Sequence, residues 1–361
     1  MTALCRHFGI CGGCAFQDMS ADAYRSMKRE AVESALTRHR VEASVAKLLE
    51  TAPLTRRRAS LKAAKTGDEL VIGFNARHSH AIVDMQECFV LTPALLSLVH
   101  EVRELLRRLL KSGEQAEIAA TETDSGFDLS FALPGMDFAR HAALLALWAR
   151  ARHVARISIN GEIAVQLASP AIRIGNADVL LPQDTFLQPS HEGQRILQTA
   201  VLEIVRGARR VADLFAGCGT FALVLAKRAR VHAVDLDHEA LGSLGDAARK
   251  TEGLKPITTE ARDLFKRPLR PDELNGHDAV VIDPPRAGAY AQVQLIAQSR
   301  AGRIAYVSCN PETFARDAAI LTQGGFHLTD VRPVDQFLWS KHIELVGAFE
   351  WKPGWSQRRK D

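Results

Sequence analysis

VADLFAGCGTFAL, residues 211–223, is the stretch that decides the fold. An apolar run ends at Asp213 to Phe215, and Gly217 and Gly219 then turn the chain into a helical pattern. Glycine at such a turn lets the backbone pass close to a ligand with no side chain in the way. Asp235 ends the next apolar run, where a carboxylate can accept hydrogen bonds from two ribose hydroxyls. Ala222 occupies the third glycine position of a G-x-G-x-x-G loop, so the glycine spacing alone leaves a dinucleotide loop open.

Outward from this turn, short apolar runs alternate with helical segments. The runs are RRVADLFA (209–216), RVHAVDLD (230–237), HDAVVIDPP (277–285), GRIAYVSCN (302–310) and the late pair 326–334 and 342–349. Strand–helix alternation implies parallel crossovers, hence an α/β doubly wound sheet of the Rossmann-like kind. A helix over 190–206 leads into it. The first half has another rhythm: a cysteine- and glycine-rich head (1–16), a helical pattern from Ala21 to Leu49, and a basic stretch TRRRASLKAA (55–64) before a strand LVIGFNA. Hairpins are expected around DSG between Ala116 and Leu133, and between VARISIN and EIAVQLA at Gly161, with a helix over 137–152. The expected division is therefore an N-terminal α+β domain carrying a cysteine cluster, 1–185, and a catalytic domain, 186–361.

The chain has 361 residues, 47% of them hydrophobic, enough to bury two cores. A net charge of +4 permits a polyanionic partner without demanding one. No apolar run is long enough to span a membrane, and the first residues lack the basic-then-apolar order of a secretory signal. The cytoplasm is the expected compartment, with no obligate protein partner evident. Six cysteines in such a chain suggest metal binding or catalysis rather than disulfides.

The chemistry concentrates late in the sequence. In VVIDPPRAG (280–288), Asp283 ends a strand and two prolines stiffen the exit at the ligand-binding edge of the sheet. Asp-Pro-Pro alone also suits methylation of exocyclic amino groups. In IAYVSCNPETFARD (304–317), Cys309 stands between a strand end and a helix start, whose positive end is expected to favour a thiolate. Glu344, between Ile343 and Leu345, enters an apolar strand, and burial would make it a base near neutral pH. Asp263 in ARDLF is a candidate for an adenine amino group, or else a helix cap or loop acid. Arg56, Arg57, Arg58 and Lys62 are candidate phosphate contacts. Cys5, Cys11 and Cys14, with the distant Cys88, offer four thiolates, a set that fits an iron–sulfur cluster or zinc. The spacing is not the C-x3-C-x2-C of radical enzymes.

D-L-F-A-G-C-G resembles the cofactor loop of class I methyltransferases, which bind S-adenosylmethionine. Together with I-D-P-P-R-A-G, V-S-C-N-P-x-T-x-x-R-D and H-I-E it resembles the RNA uracil-C5 methyltransferase family, over most of the second half. The resemblance implies Cys309 as nucleophile and Glu344 as base. It implies cofactor contacts at Gln188 in DTFLQ, Phe215, Asp235 and Asp283, beside the glycines Gly217 and Gly219. Phe215 stands where a tyrosine is common, and Asp235 where a glutamate is frequent. In the ribosomal RNA branch such a cysteine head binds a [4Fe-4S] cluster, which makes Cys5, Cys11, Cys14 and Cys88 its expected ligands and 23S rRNA the expected substrate. A transfer-RNA uracil methyltransferase and a non-catalytic RNA-binding protein are the alternatives. Family members often carry a further amino-terminal β-barrel, and the cysteine head at the start of this sequence implies its absence.

Overall fold

The computed structural model describes residues 3–351; the outermost residues of the expected domain bounds, 1–2 and 352–361, lie outside the described residues. The first part runs α1 (Ala21–Arg38), β1 (Leu49–Glu50), β2 (Arg58–Thr66), β3 (Glu69–Gly73), α2 (Pro93–Leu109), β4 (Gln115–Thr123), β5 (Gly126–Ala132), α3 (Ala142–Ala151), β6 (Val154–Ile159) and β7 (Glu162–Gln166). A hairpin of β8 (Ala171–Ile174) and β9 (Ala177–Leu180) follows. The second part runs α4 (His191–Ile204), β10 (Arg210–Leu214), α5 (Ala222–Leu225), β11 (Arg230–Asp235), α6 (His238–Lys250), β12 (Ile257–Ala261), α7 (Pro271–Leu274), β13 (Ala279–Ile282), α8 (Tyr290–Ile296), β14 (Arg303–Ser308), α9 (Pro311–Gln323), β15 (Phe326–Asp335) and β16 (Glu344–Trp351).

Two sheets result. The smaller has the order β3-β2-β4-β5-β6-β7 and packs against α2 and α3. Its β6–β7 turn takes positive φ at Asn160 and Gly161, as a two-residue hairpin turn requires. The larger has the order β1-β15-β16-β14-β13-β10-β11-β12, parallel from β14 to β12, with β16 antiparallel to both its neighbours. Parallel strands need crossovers that cover both faces, so the central strands β10, β13 and β14 are buried at nearly every position. Every position of β13 is buried. One face is closed by α4, α5, α6 and the β8–β9 hairpin, the other by α1, α8 and α9.

Three readings of the sequence differ from the structure. The helix expected to reach Leu49 stops at Arg38; Arg40 takes φ 56°, and Val45 and Leu49–Glu50 pair with β15 at the edge of the larger sheet. Apolar periodicity persists there because the segment is buried on a neighbouring strand instead of within its own helix. TRRRASLKAA is no open basic stretch but the start of β2, a central strand that buries Ala59, Leu61 and Ala63 on alternate positions. The sequence grouped α1 and β1 with residues 1–185, yet Val32, Ala35 and Leu36 pack in the core beneath β13 and β14.

Candidate active site

The parallel strands carry their carboxyl ends to one edge. Leu214 pairs with Ile282 and Ile282 with Tyr306, so Phe215, Asp283 and the Ser308–Cys309 turn emerge side by side. Ser308 pairs with Leu345 across the antiparallel β14–β16 ladder. The next step of that register sets Cys309 beside Glu344. Nucleophile and base candidates, far apart in sequence, thus meet where the strand direction reverses.

Phe215 takes φ 61°, a left-handed conformation unusual for a side chain of its size and a mark of functional backbone strain. Gly219 takes φ 91°, and a Cβ there would stand 2.4 Å from Leu244, so only glycine lets this loop close onto α6. Asp235 accepts from the Gly217 amide (2.8 Å) and the Asp237 amide (2.9 Å), which fixes the acid beneath the loop. Asp263 accepts from the Phe265 amide (3.0 Å) and the Lys266 amide (3.3 Å). Oδ1 thus caps the loop, while Oδ2 stands 3.5 Å from Lys266 Nζ and takes no part in the cap. Phe265 stands 5.5 Å from Phe215, centroid to centroid, and is 47% exposed. The sequence reading assigned it no role; an exposed aromatic beside a ligand-facing acid was its only signal.

Asn310 caps α9, its side chain accepting from the Glu312 amide (3.1 Å), with Pro311 at the first helical position. Asn310 Nδ2 and Thr313 Oγ1 both donate to the Arg286 carbonyl (3.3 Å each). Buried Asp317 accepts from the Ala289 amide (2.8 Å) and the Tyr306 hydroxyl (2.7 Å). The spacing of S-C-N-P-x-T-x-x-R-D is therefore that of a helix whose first two turns grip the D-P-P-R-A-G loop. Arg286, quoted in that loop but given no role from sequence, faces the same cleft as Cys309.

The electrostatics correct one expectation. Cys309 is no resting thiolate: burial, then the Glu344 and Asp283 carboxylates, push its pKa up to about 11. At the start of α9 the Glu312 amide is already taken by the Asn310 side chain and is not left for the thiol. Glu344 is 4% exposed, and burial, then Asp283, raises it to about 8. Burial lifts Asp283 to about 7, and burial with Asp283 holds Asp213 well above the carboxylate range. An edge so crowded with acids suits a cationic ligand, whose charge would let them ionise.

Gln188 is buried, and its Nε2 donates to Asp283 Oδ2 (3.3 Å). Of the basic residues expected to meet phosphates, Arg57 does something else. It is 1% exposed, and its guanidinium donates to the Gln188 carbonyl (3.0 Å) and Gln194 Oε1 (2.9 Å). Arg58 donates to the Leu187 carbonyl (2.7 Å). Both clamp β2 onto the segment leading into α4. Arg56, stacked on Phe337 at 5.7 Å, and Lys62 line the cleft and remain suited to phosphates.

That cleft, about 920 Å³, has Cys309 and Arg286 on one wall and Cys5, Cys11, Cys14 and Cys88 on another. The head is pinned to the small domain by the Gly12 amide to the Asn75 carbonyl (2.9 Å) and to the large one by the Ala15 amide to the Trp339 carbonyl (2.7 Å). Burial raises all four thiols, Cys14 to about 12, and negative charge on neighbouring cysteines raises each of them further. Four thiols on one wall of a cleft are of the chemistry that a thiolate-held group uses. Among the described residues, no three side chains of His, Cys, Asp or Glu are gathered tightly enough to hold a single ion.

The chain is similar to several known proteins. A family model described as tRNA (Uracil-5-)-methyltransferase matches residues 252–350, which include Asp263, Asp283, Cys309 and Glu344. A protein of Rhizobium meliloti described as an uncharacterized RNA methyltransferase is 44% identical over 353 residues, covering 96% of this chain and 85% of the relative. The 23S rRNA (uracil(1939)-C(5))-methyltransferase RlmD of Acinetobacter baumannii is 31% identical over 375 residues, covering 96% of this chain and 80% of that protein. Among solved structures, the tRNA (uracil-54, C5)-methyltransferase of Pyrococcus abyssi in complex with S-adenosyl-L-homocysteine shares the fold. Its TM-score is 0.75 at 24% identity, over 94% of this chain and 84% of that one.

Proposed function

The chain belongs to the RNA (uracil-5-)-methyltransferase family, and from that premise we propose that Cys309 and Glu344 methylate C5 of a uridine in 23S ribosomal RNA. The enzyme is a methyltransferase acting on RNA, with S-adenosylmethionine as co-substrate. The observation that carries the residue assignment is the β14–β16 register, which sets a thiol and a carboxyl together at the edge that also bears the glycine turn.

C5 of uracil is too weak a nucleophile to take a methyl group unaided. The Cys309 thiol gives its proton to solvent, the resulting thiolate adds to C6, and the C5–C6 π electrons become an enolate. C5 then takes the methyl group, while S-adenosylmethionine departs as the neutral thioether. Glu344 removes the remaining C5 proton, the double bond re-forms, and the Cys309–C6 bond breaks. Arg286, whose charge pulls the Cys309 pKa down, stabilises the thiolate as it forms and as it departs. The uracil must leave its stack to reach the cleft.

Gln188, Phe215, Gly217, Gly219, Asp235 and Asp283 are the proposed contacts to S-adenosylmethionine. Asp263 would take the adenine amino group and Phe265 would wall the ring. Asp283 and Asp213 offset the sulfonium and ammonium charges.

Ribosomal RNA is favoured over transfer RNA by the relative named for 23S rRNA and by the cysteine head. We assign Cys5, Cys11, Cys14 and Cys88 to a [4Fe-4S] cluster that fixes one wall of the cleft; zinc is the other group such thiolates would take. Protein purified without oxygen is expected to hold about four irons per chain and to lose them with Cys88→Ser; zinc in their place would overturn the cluster. The cytoplasm is the proposed compartment. The test of the substrate is transfer of labelled methyl groups to purified ribosomal and transfer RNA. Label in 5-methyluridine of 23S rRNA is expected; label in transfer RNA alone would overturn the reading.

A further inference from the structure

Gln336 lies behind the active site, where nothing in the sequence marked it. It is 3% exposed, and its side-chain nitrogen donates to Glu344 Oε2 (2.9 Å) and to Gln188 Oε1 (2.8 Å). Gln188 in turn donates to Asp283. A buried polar line therefore runs from Glu344 through Gln336 and Gln188 to Asp283.

The other end of the amide is unusual. Gln336 Oε1 is buried without a hydrogen-bond partner, in a notch that exists because residue 193 is glycine. A Cβ on Gly193 would stand 2.4 Å from that oxygen and 2.9 Å from the Gln336 Cβ. An unsatisfied buried carbonyl is destabilising, and an apolar side chain of similar size would avoid that cost. The amide is kept for its nitrogen, since an apolar side chain would leave Gln188 Oε1 and Glu344 Oε2 without that donor. Turning the amide over would set its oxygen against the oxygens of Gln188 and Glu344, so the donor orientation is the one the partners accept. The backbone leading into it is held as well. Asp335 is fully buried, paired with Lys28 (3.0 Å), hydrogen-bonded by Tyr24, and its carbonyl accepts from Thr51 Oγ1 (3.0 Å).

We propose that Gln336, seated in the notch left by Gly193, is a positioning residue that holds the Glu344 carboxylate and the cofactor-contact residue Gln188 in one fixed arrangement. This rests on the reading of Glu344 as the base. With Oε2 held by the amide, the other carboxylate oxygen is left for the proton on C5. Asp283 and Cys309 are the titratable groups facing Glu344: Asp283 opposes its charge, whereas Cys309 is itself raised by Glu344; Asp335, beside its register partner Val334, is balanced by Lys28. The Gln336 amide acts in the opposite direction, favouring the carboxylate.

The test compares wild type, Glu344→Gln, Gln336→Leu and Gly193→Ala in single-turnover methylation of RNA across about pH 6 to 10, following product and covalent protein–RNA adduct. Glu344→Gln is expected to accumulate a methylated adduct that fails to resolve; its absence would overturn the base reading and this inference with it. Given that adduct, Gln336→Leu is expected to move the pH profile of adduct resolution alkaline by about one unit, a tenfold loss at neutral pH recovered at high pH. Gly193→Ala, which displaces the same side chain without altering it, is expected to shift the profile in the same direction. A Gln336→Leu profile superimposed on wild type, or lowered equally at every pH, would overturn the proposal. So would a collapse of its unfolding midpoint, which would assign Gln336 to the scaffold alone.

Discussion

At the scale of single residues, the proposed nucleophile rests as a neutral thiol beside acids that burial keeps from ionising. Burial and then the Glu344 carboxylate raise Cys309 to about 11, so the thiolate fraction of the free enzyme climbs throughout the range below that value. Alkylation of Cys309 is expected to accelerate steadily with pH and show no plateau near neutrality. Glu344, itself raised to about 8, carries charge only above that pH. Glu344→Gln should therefore leave alkylation near pH 7 little changed and speed it by several-fold above about pH 9, measured by mass spectrometry of the modified peptide. A slower reaction in that variant would mean the carboxyl activates the thiol instead of opposing it. Cys309 and Glu344 were both legible from their flanking residues, since a cysteine before Asn-Pro and a glutamate inside an apolar run are chemically conspicuous. The direction of the thiol's shift was not. It depends on Asp283 and Glu344 standing nearby, a fact of strand register that no local pattern contains.

At the scale of elements, a clamp from the small domain sets the approach to the catalytic sheet. Arg57 reaches from the strand edge of β2 to the Gln188 carbonyl and to Gln194 on α4. Removing it leaves buried acceptors without donors, at about 1–3 kcal/mol each. Arg57→Ala is expected to lower the unfolding midpoint markedly and to raise KM for S-adenosylmethionine, because Gln188 loses its tether. Arg56→Ala, whose parent side chain lies in the cleft on Phe337, should instead weaken RNA binding at nearly unchanged stability. Equal effects of the two substitutions on RNA binding would contradict this division. From sequence the run 56–58 was uniformly basic. Only alternation along β2 separates the residue turned into the protein from its neighbours, and with one alanine-rich strand the apolar signal was too weak to reveal it. The strand–helix succession after residue 209 was legible because parallel central strands are apolar along their length. The end of α1 was not, since the chain after Arg38 stays half-apolar to pair with β15.

At the scale of the whole molecule, the cysteine head, the small domain and the sheet edge enclose one cleft with Arg56, Lys62, Arg77, Arg286 and Lys341 on its walls. RNA entering it must displace counterions, so affinity is expected to fall steeply with salt. Lys62→Ala should reduce the slope of log affinity against log salt by about one; an unchanged slope would place the phosphates elsewhere. That the four distant cysteines share this cleft with Cys309 could not be read from spacing, because Cys88 is brought in by a loop between β3 and α2. The account as a whole stands on the covalent bond between Cys309 and the pyrimidine. Its most direct measurement uses RNA in which uracil carries fluorine at C5, so that no proton remains for Glu344 to remove. Mass spectrometry should then find a stable adduct, with the transferred methyl group, on the peptide containing Cys309, and none with Cys309→Ala. Methyl transfer to unmodified RNA by Cys309→Ala, or an adduct on any other residue, would contradict it.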